Sequence, residues 1–181
     1  MFKKILLASL LSMTSAATMA APMLQGGFNM NDLSDGANTN VVWDSAANTV
    51  DFTYVDGGGN NFEVVNATGD FAGNSGALGT IVDFNYSSLP LANLFSFSTF
   101  TFSLTSLYEV YEGSSLSLAG YGTMSDSSGA YEDTTFGWQF SATPQGAGTW
   151  SASAVPAPAT LALLGLGLIA MAVTKRGSKA A

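Results

Sequence analysis

Along most of the central chain, apolar and aromatic residues alternate with polar ones at a spacing of two. The alternation is clear in residues 49–55, stops in a glycine-rich stretch at 56–61, and resumes at 62–65. Side chains two apart lie on one face of a β-strand, whereas a helix needs a spacing of three to four. The pattern predicts an all-β domain of about eight to ten short strands, in an antiparallel β-sandwich or flattened barrel. We expect 49–55 and 62–65 to form a hairpin, and the phase change at 98–99 to mark a bulge or tight turn.

The N-terminal residues have the features of a secretory signal peptide. Lys3 and Lys4 precede an apolar stretch at 5–11, and Thr18-Met19-Ala20 has the small-x-small pattern of a cleavage site. We therefore assign residues 1–20 as a signal peptide cleaved after Ala20, with Ala21 as an alternative site. The folded domain is then expected to be residues 21–154.

The C-terminal residues, 155–181, combine a proline-rich turn, an apolar stretch and a basic end. The apolar stretch, 159–173, spans about 22 Å as a helix, and its uncharged flanks bring it close to the thickness of a bilayer. Basic residues behind it predict a transmembrane helix whose end stays in the cytoplasm. The processing motif is Val155, Pro156, Ala157 and Pro158, and the membrane stop is Lys175 and Arg176.

This arrangement resembles the C-terminal sorting signal of the PEP-CTERM family of secreted bacterial proteins. The family's motif usually has Glu between the two prolines, where this chain has Ala157. The resemblance implies export by the Sec pathway in a Gram-negative type of bacterium and an inner-membrane intermediate. An exosortase-like transpeptidase or protease would then process the chain, which would reach the cell surface or the exterior. It also implies an association with exopolysaccharide and biofilm. Retention as a single-pass membrane protein is the alternative.

The charge of the exported part is unusually one-sided. Residues 21–154 contain thirteen acidic residues and no Lys or Arg, a formal charge of −13, and the chain has no His or Cys. Such a surface repels nucleic acid and anionic membranes. Without His or Cys, a Ser-His-Asp triad, a thiolate nucleophile and a zinc–thiolate site are all excluded.

Carboxylates, amides and aromatic rings are the remaining candidates for a site. Asp56, Asn60, Asn61 and Glu63 surround three glycines and form a candidate Ca²⁺ site, with a simple hairpin turn as the alternative. No other cofactor is expected. A glycosidase, the hydrolase that these residues could form, would need two converging carboxyl groups. The nearest acid pairs in sequence are Glu109 with Glu112, Glu132 with Asp133, and Asp32 with Asp35.

Aromatic residues raise the possibility of sugar binding. Trp138 lies between Phe136 and Phe140 at a spacing of two, which predicts a core position. Trp43, Tyr108 and Tyr111 are candidates for an exposed platform. The resemblance to PEP-CTERM proteins implies a non-enzymatic surface or matrix protein, which is the first hypothesis. A carbohydrate- or Ca²⁺-binding module is the second hypothesis, and an acid-pair hydrolase is the third.

Overall fold

A computed structural model of the chain describes residues 20–33, 41–53, 55–143 and 148–155. These ranges contain eleven β-strands and one 3₁₀ helix, Gly69–Asn74, which confirms the all-β prediction. The strands are β1 (Gly27–Asp32), β2 (Val41–Asp44), β3 (Thr49–Phe52), β4 (Phe62–Val65), β5 (Leu78–Ile81), β6 (Phe84–Asn85), β7 (Leu91–Phe97), β8 (Phe100–Glu112), β9 (Leu116–Asp126), β10 (Thr134–Ala142) and β11 (Gly148–Ala154).

Eight of these strands form a closed antiparallel barrel. Their order is β1–β11–β10–β9–β8–β7–β5–β4, and β4 pairs with β1 to complete the ring. The period-two pattern separates the two faces, since Phe136, Trp138 and Phe140 of β10 are buried while Gln139 between them is exposed. Side chains fill the interior, as expected for a barrel of eight strands. Of the two predicted antiparallel architectures, the structure has the barrel.

The other three strands form a small sheet in the order β2–β3–β6, which packs against the barrel. The ring of Phe52 is centred 5.5 Å from that of Trp150, and the ring of Phe84 is centred 6.1 Å from that of Trp138. The small sheet therefore covers aromatic rings of the barrel near the end at which β11 begins. We call this the sheet end.

The 3₁₀ helix closes the opposite end of the barrel, where β1 begins and β11 ends. Its Phe71 is fully buried, with ring centroids 4.9 Å from Phe100, 5.0 Å from Phe28 and 5.6 Å from Phe136. We call this the exit end, because the chain continues from it into the C-terminal segment.

Two sequence-based expectations about strand pairing need correction. Strands β3 and β4 do not form a hairpin, since β3 pairs with β2 and β6 in the small sheet while β4 pairs with β1 and β5 in the barrel. The alternation at 80–86, which by itself predicts one continuous strand, is also divided between the two sheets, as parts of β5 and β6. Asp83 lies at this break, and its carboxylate accepts the N–H of Phe52 at 2.7 Å. The tight turn expected at 98–99 is confirmed between β7 and β8.

Several predicted segments lie outside the described residues. These are the signal peptide apart from Ala20, Asp35, the processing motif after Val155, the transmembrane helix at 159–173, and the membrane stop of Lys175 and Arg176. Within the described ranges, no helix is long and apolar enough to cross a membrane.

Candidate functional site

The outer face of the barrel carries a mainly polar row of residues, with Ala119 as its apolar member, that runs across five adjacent strands. Asn29 of β1 pairs with Ser151 of β11, which pairs with Gln139 of β10. Gln139 then pairs with Ala119 of β9, which pairs with Glu109 of β8. With strands about 4.8 Å apart, the row spans about 19 Å. We call it the first row.

A second row lies beside the first, two residues further along each strand. It runs through Asn31, Thr149, Ser141 and Ser117, and ends at Tyr111 of β8. The two rows, apart from Tyr111, line a depression of about 430 Å³. Every side chain that points outward from its floor is an amide, a hydroxyl, the methyl of Ala119 or the carboxylate of Glu109.

The depression continues on the other side of the first row, where a third, shorter row of residues lines it. Gly137 of β10 pairs with Ser153 of β11 and with Tyr121 of β9. A Cβ atom at Gly137 would meet nothing closer than the carbonyl oxygen of Ser153 at 3.9 Å, so the glycine leaves open space. This part has a volume of about 310 Å³ and shares Gln139 and Ser151 with the first. We call the three rows together the outer groove.

Two tyrosines line one end of the outer groove. Tyr108 of β8 is 58% exposed and Tyr121 of β9 is 45% exposed, yet their ring centroids are only 5.0 Å apart. Two register shifts in the β8–β9 pair, between Leu104 and Ser106 and between Leu107 and Glu109, change which side chains of β8 face outward. The result is an exposed aromatic pair beside a polar floor.

The outer groove is nearly uncharged. Glu109 is the one ionisable carboxylate among its described lining residues, and Lys, Arg and His are absent from residues 21–154. The groove has a volume typical of small-molecule and oligomer sites, with an unusually large share of hydroxyls and amides.

The predicted Ca²⁺ residues are close in the chain but differ in their hydrogen bonding. The Asp56 carboxylate accepts the N–H groups of Gly58 and Asn60 at 2.8 and 2.7 Å. These bonds, led by that from the Asn60 backbone, lower the pKa of Asp56. Asn61 is buried, and its side chain bonds both the N–H and the carbonyl of Ile81 at 2.8 Å. Glu63 lies on β4.

These bonds show that Asp56 and Asn61 have structural roles in the loop. Among the residues that the structure describes, no group of three or more Asp and Glu side chains is placed to hold a metal ion. Ca²⁺ binding at 56–63 stays a prediction.

Of the candidate acid pairs, Glu109 and Glu112 face away from each other. Glu109 pairs with Ala119 on the outer face, whereas Glu112 pairs with the inward Leu116 and accepts the hydroxyl of Tyr86 at 2.5 Å. Desolvation, with help from Glu112, raises the pKa of Tyr86. Glu132 and Asp133 are exposed in the loop before β10, and Asp32 lies on β1.

The aromatic expectations are largely confirmed. Trp138 is fully buried in the barrel, and Tyr108 and Tyr111 are 58% and 59% exposed. Trp43, in contrast, is partly buried and packs against the core, so it forms no exposed platform. Sequence reasoning missed the polar rows. The signal was present, since the positions that alternate with the buried residues around Trp138 and Trp150 are Ser, Thr, Gln and Gly, with no charged residue.

Strand β11 ends at the exit end of the barrel, beside the start of β1. The N–H of Ala154 donates to the carbonyl of Gly26 at 2.8 Å, and the N–H of Val155 donates to that of Thr135 at 3.1 Å. Val155, the first residue of the predicted processing motif, is therefore fixed to the barrel by its backbone.

The C-terminal segment matches a known family model. The model of the PEP-CTERM protein-sorting motif matches residues 154–176, which include the whole predicted processing motif, the apolar stretch and the membrane stop. The motif indicates a bacterial protein that is exported, recognised by an exosortase and sorted to the cell surface or exterior. No curated protein and no solved structure matches the chain.

Proposed function

We propose that this chain, which carries the PEP-CTERM sorting motif, is a non-enzymatic protein of the cell surface or extracellular matrix. The proposal rests on one observation: the motif begins at Ala154, the residue at which β11 ends. An exosortase-like enzyme that cuts within residues 155–158 would leave all eight barrel strands in the released or transferred product. Processing would thus separate a sorting signal from an intact folded domain.

The hydrogen bonds at the exit end support this route. The first described residues bind there, where the carbonyl of Pro22 accepts the N–H of Glu132 at 3.0 Å and Thr134 Oγ1 accepts that of Leu24 at 3.0 Å. Pro22, two residues after the predicted signal cleavage site, and Val155, the first residue of the predicted processing motif, are thus both bonded to the barrel at this end. A precursor held at the inner membrane by its C-terminal helix would direct its exit end toward the membrane and its sheet end away.

The non-enzymatic part of the proposal is supported by the available side chains. The chain has no His or Cys, and Glu109 and Glu112 occupy opposite faces of β8. Glycoside hydrolysis by an acid pair needs two carboxyl groups that face one substrate. A hydrolase is therefore the least favoured function.

The matrix role is the finer part of the proposal. An acidic, disulfide-free barrel delivered through the Sec pathway of a Gram-negative type of bacterium would work in an exopolysaccharide-rich biofilm. Mutual repulsion between copies keeps such a domain soluble. A single-pass membrane protein that keeps its tail is the alternative, and Ca²⁺ binding at 56–63 is an optional addition to either.

Intact mass spectrometry of the protein from membrane and culture-medium fractions of its host tests the sorting step. We expect a product that lacks residues 1–20 and ends within 155–158. Ala157→Glu, which restores the residue usual in the motif, should be processed at least as fully. Exchange of both Pro156 and Pro158 for Ala should leave a longer, membrane-bound species.

A wild-type protein that keeps its tail on the membrane, while Ala157→Glu is cut, would show that this motif is impaired. The chain would then be a single-pass surface protein. An uncut Ala157→Glu variant would count against exosortase processing altogether.

A further inference from the structure

We propose that the outer groove binds a neutral polysaccharide chain. The polysaccharide would lie across β1, β11, β10, β9 and β8. It would extend from the side of Asn29 to the pair formed by Tyr108 and Tyr121. The proposed function does not assign this site. It bears on the inference only by supplying a setting rich in polysaccharide.

The floor of the groove matches the hydrogen-bonding character of a sugar. Asn29 and Gln139 each offer an amide donor and an acceptor, and the hydroxyls of Thr149, Ser141 and Ser151 can do either. A sugar hydroxyl also donates and accepts, so it can pair with any of these groups. Because the rows repeat from strand to strand, a polymer with repeating hydroxyls can make successive contacts.

The tyrosine pair supplies the apolar part of the contact. Each pyranose ring has a face of C–H groups, and such a face packs well on an aromatic ring that keeps a polar edge in water. Tyr108 and Tyr121 are exposed enough to accept this contact, and the empty space over Gly137 lets a ring approach Tyr121.

Charge selects a neutral ligand among the possible polymers. The −13 domain contains no cation that could pair with a phosphate, sulfate or uronate group, so it repels nucleic acids and acidic glycans. An apolar peptide or lipid would cover the amides and hydroxyls of the floor without satisfying them, which carries a free-energy cost. A neutral glycan avoids both penalties.

Calorimetric titration of the full chain, purified in a sugar-free zwitterionic detergent, tests the inference. The probes are cellohexaose, xylohexaose, mannohexaose and laminarihexaose, with polygalacturonate as an acidic polymer. We expect at least one neutral hexasaccharide to bind and polygalacturonate to bind more weakly or not at all. Tyr121→Ala should weaken that binding about tenfold, as truncation of an aromatic anchor commonly does.

Matched variants separate the groove from the fold. Gln139→Ala should weaken binding several-fold, whereas Tyr121→Phe, which keeps the ring, should bind like the wild type. Val82→Ala and Ser96→Ala remove exposed side chains that do not line the groove, and should change nothing. Circular dichroism and melting temperature establish that each variant is folded.

Three results would overturn the proposal. They are no heat change with any neutral hexasaccharide at millimolar concentration, equal affinity in the groove and control variants, and tighter binding of polygalacturonate. None of them affects the sorting proposal, which is tested by mass in cells. A failure of sorting in turn leaves binding by the purified chain unchanged.

Discussion

At the scale of single residues, two glycines of neighbouring strands have opposite surroundings. Gly122 of β9 faces the interior, and a Cβ atom there would lie 2.2 Å from the carbonyl oxygen of Ser103 and 2.4 Å from the ring of Phe102. Gly137 of β10 faces outward into the open part of the groove. One glycine makes room for the core, and the other makes room on the surface.

This difference gives a direct prediction for stability. Gly122→Ala should lower the free energy of unfolding by about 1–3 kcal/mol, because the added methyl overpacks a region that includes a backbone oxygen. Gly137→Ala should leave it unchanged or raise it by up to about 1 kcal/mol, since its backbone is compatible with Ala. Urea unfolding of the two variants measures both values. Equal effects would contradict the packing described here.

At the scale of elements, the loop between β9 and β10 is organised by one carboxylate. Asp126 accepts the hydroxyl of Ser128 at 2.5 Å and the N–H groups of Ser128 and Ala130 at 3.0 and 3.1 Å. These bonds, led by that from the Ser128 hydroxyl, lower the pKa of Asp126 to about 2. The ionised form is therefore the one that holds this turn.

The lowered pKa predicts how this turn responds to acid. A folded-state pKa below the unfolded one gives stability that is present above about pH 4 and is lost as the pH falls toward 2. Asp126→Asn should therefore be less stable than the wild type at pH 5, and the difference should shrink between pH 4 and pH 2. Urea unfolding at each pH measures it, with Asp133→Asn as a control for loss of charge in the same loop. A constant difference down to pH 2 would argue against the role of the carboxylate.

The strands were more predictable from sequence than their partners. Alternation around Trp138 identified β10 and its buried face, and the phase change at 98–99 identified the β7–β8 turn, because both signals are local. The assignment of β3 and β6 to a separate sheet depends on contacts such as Phe52 with Trp150, which are distant in sequence. The outer groove was missed for the same reason, since its rows exist only after five strands pair in register.

At the scale of the whole molecule, the acidic and basic residues lie in separate parts of the chain. All thirteen acidic residues lie between Asp32 and Asp133, and all five basic residues lie in the two predicted terminal signals. Loss of both signals leaves a domain of charge −13 with no internal cation to offset the repulsion. The stability of this domain should therefore depend on ionic strength.

The response of the melting temperature to NaCl and to CaCl₂ distinguishes general screening from a specific Ca²⁺ site. Raising NaCl from 10 to 150 mM shortens the screening length from about 30 Å to about 8 Å, so the melting temperature should rise by several degrees. CaCl₂ at matched ionic strength should raise the melting temperature further only if Ca²⁺ binds a defined site. At a Ca²⁺ concentration of ten times the Kd, such binding would raise the free energy of unfolding by about 1.4 kcal/mol. Asp56→Asn should remove that addition but keep the response to NaCl, while Asp51→Asn, an exposed acid on β3, should keep both. If Ca²⁺ and NaCl act alike in all three proteins, the acidic surface is only screened and the loop at 56–63 has a purely structural role.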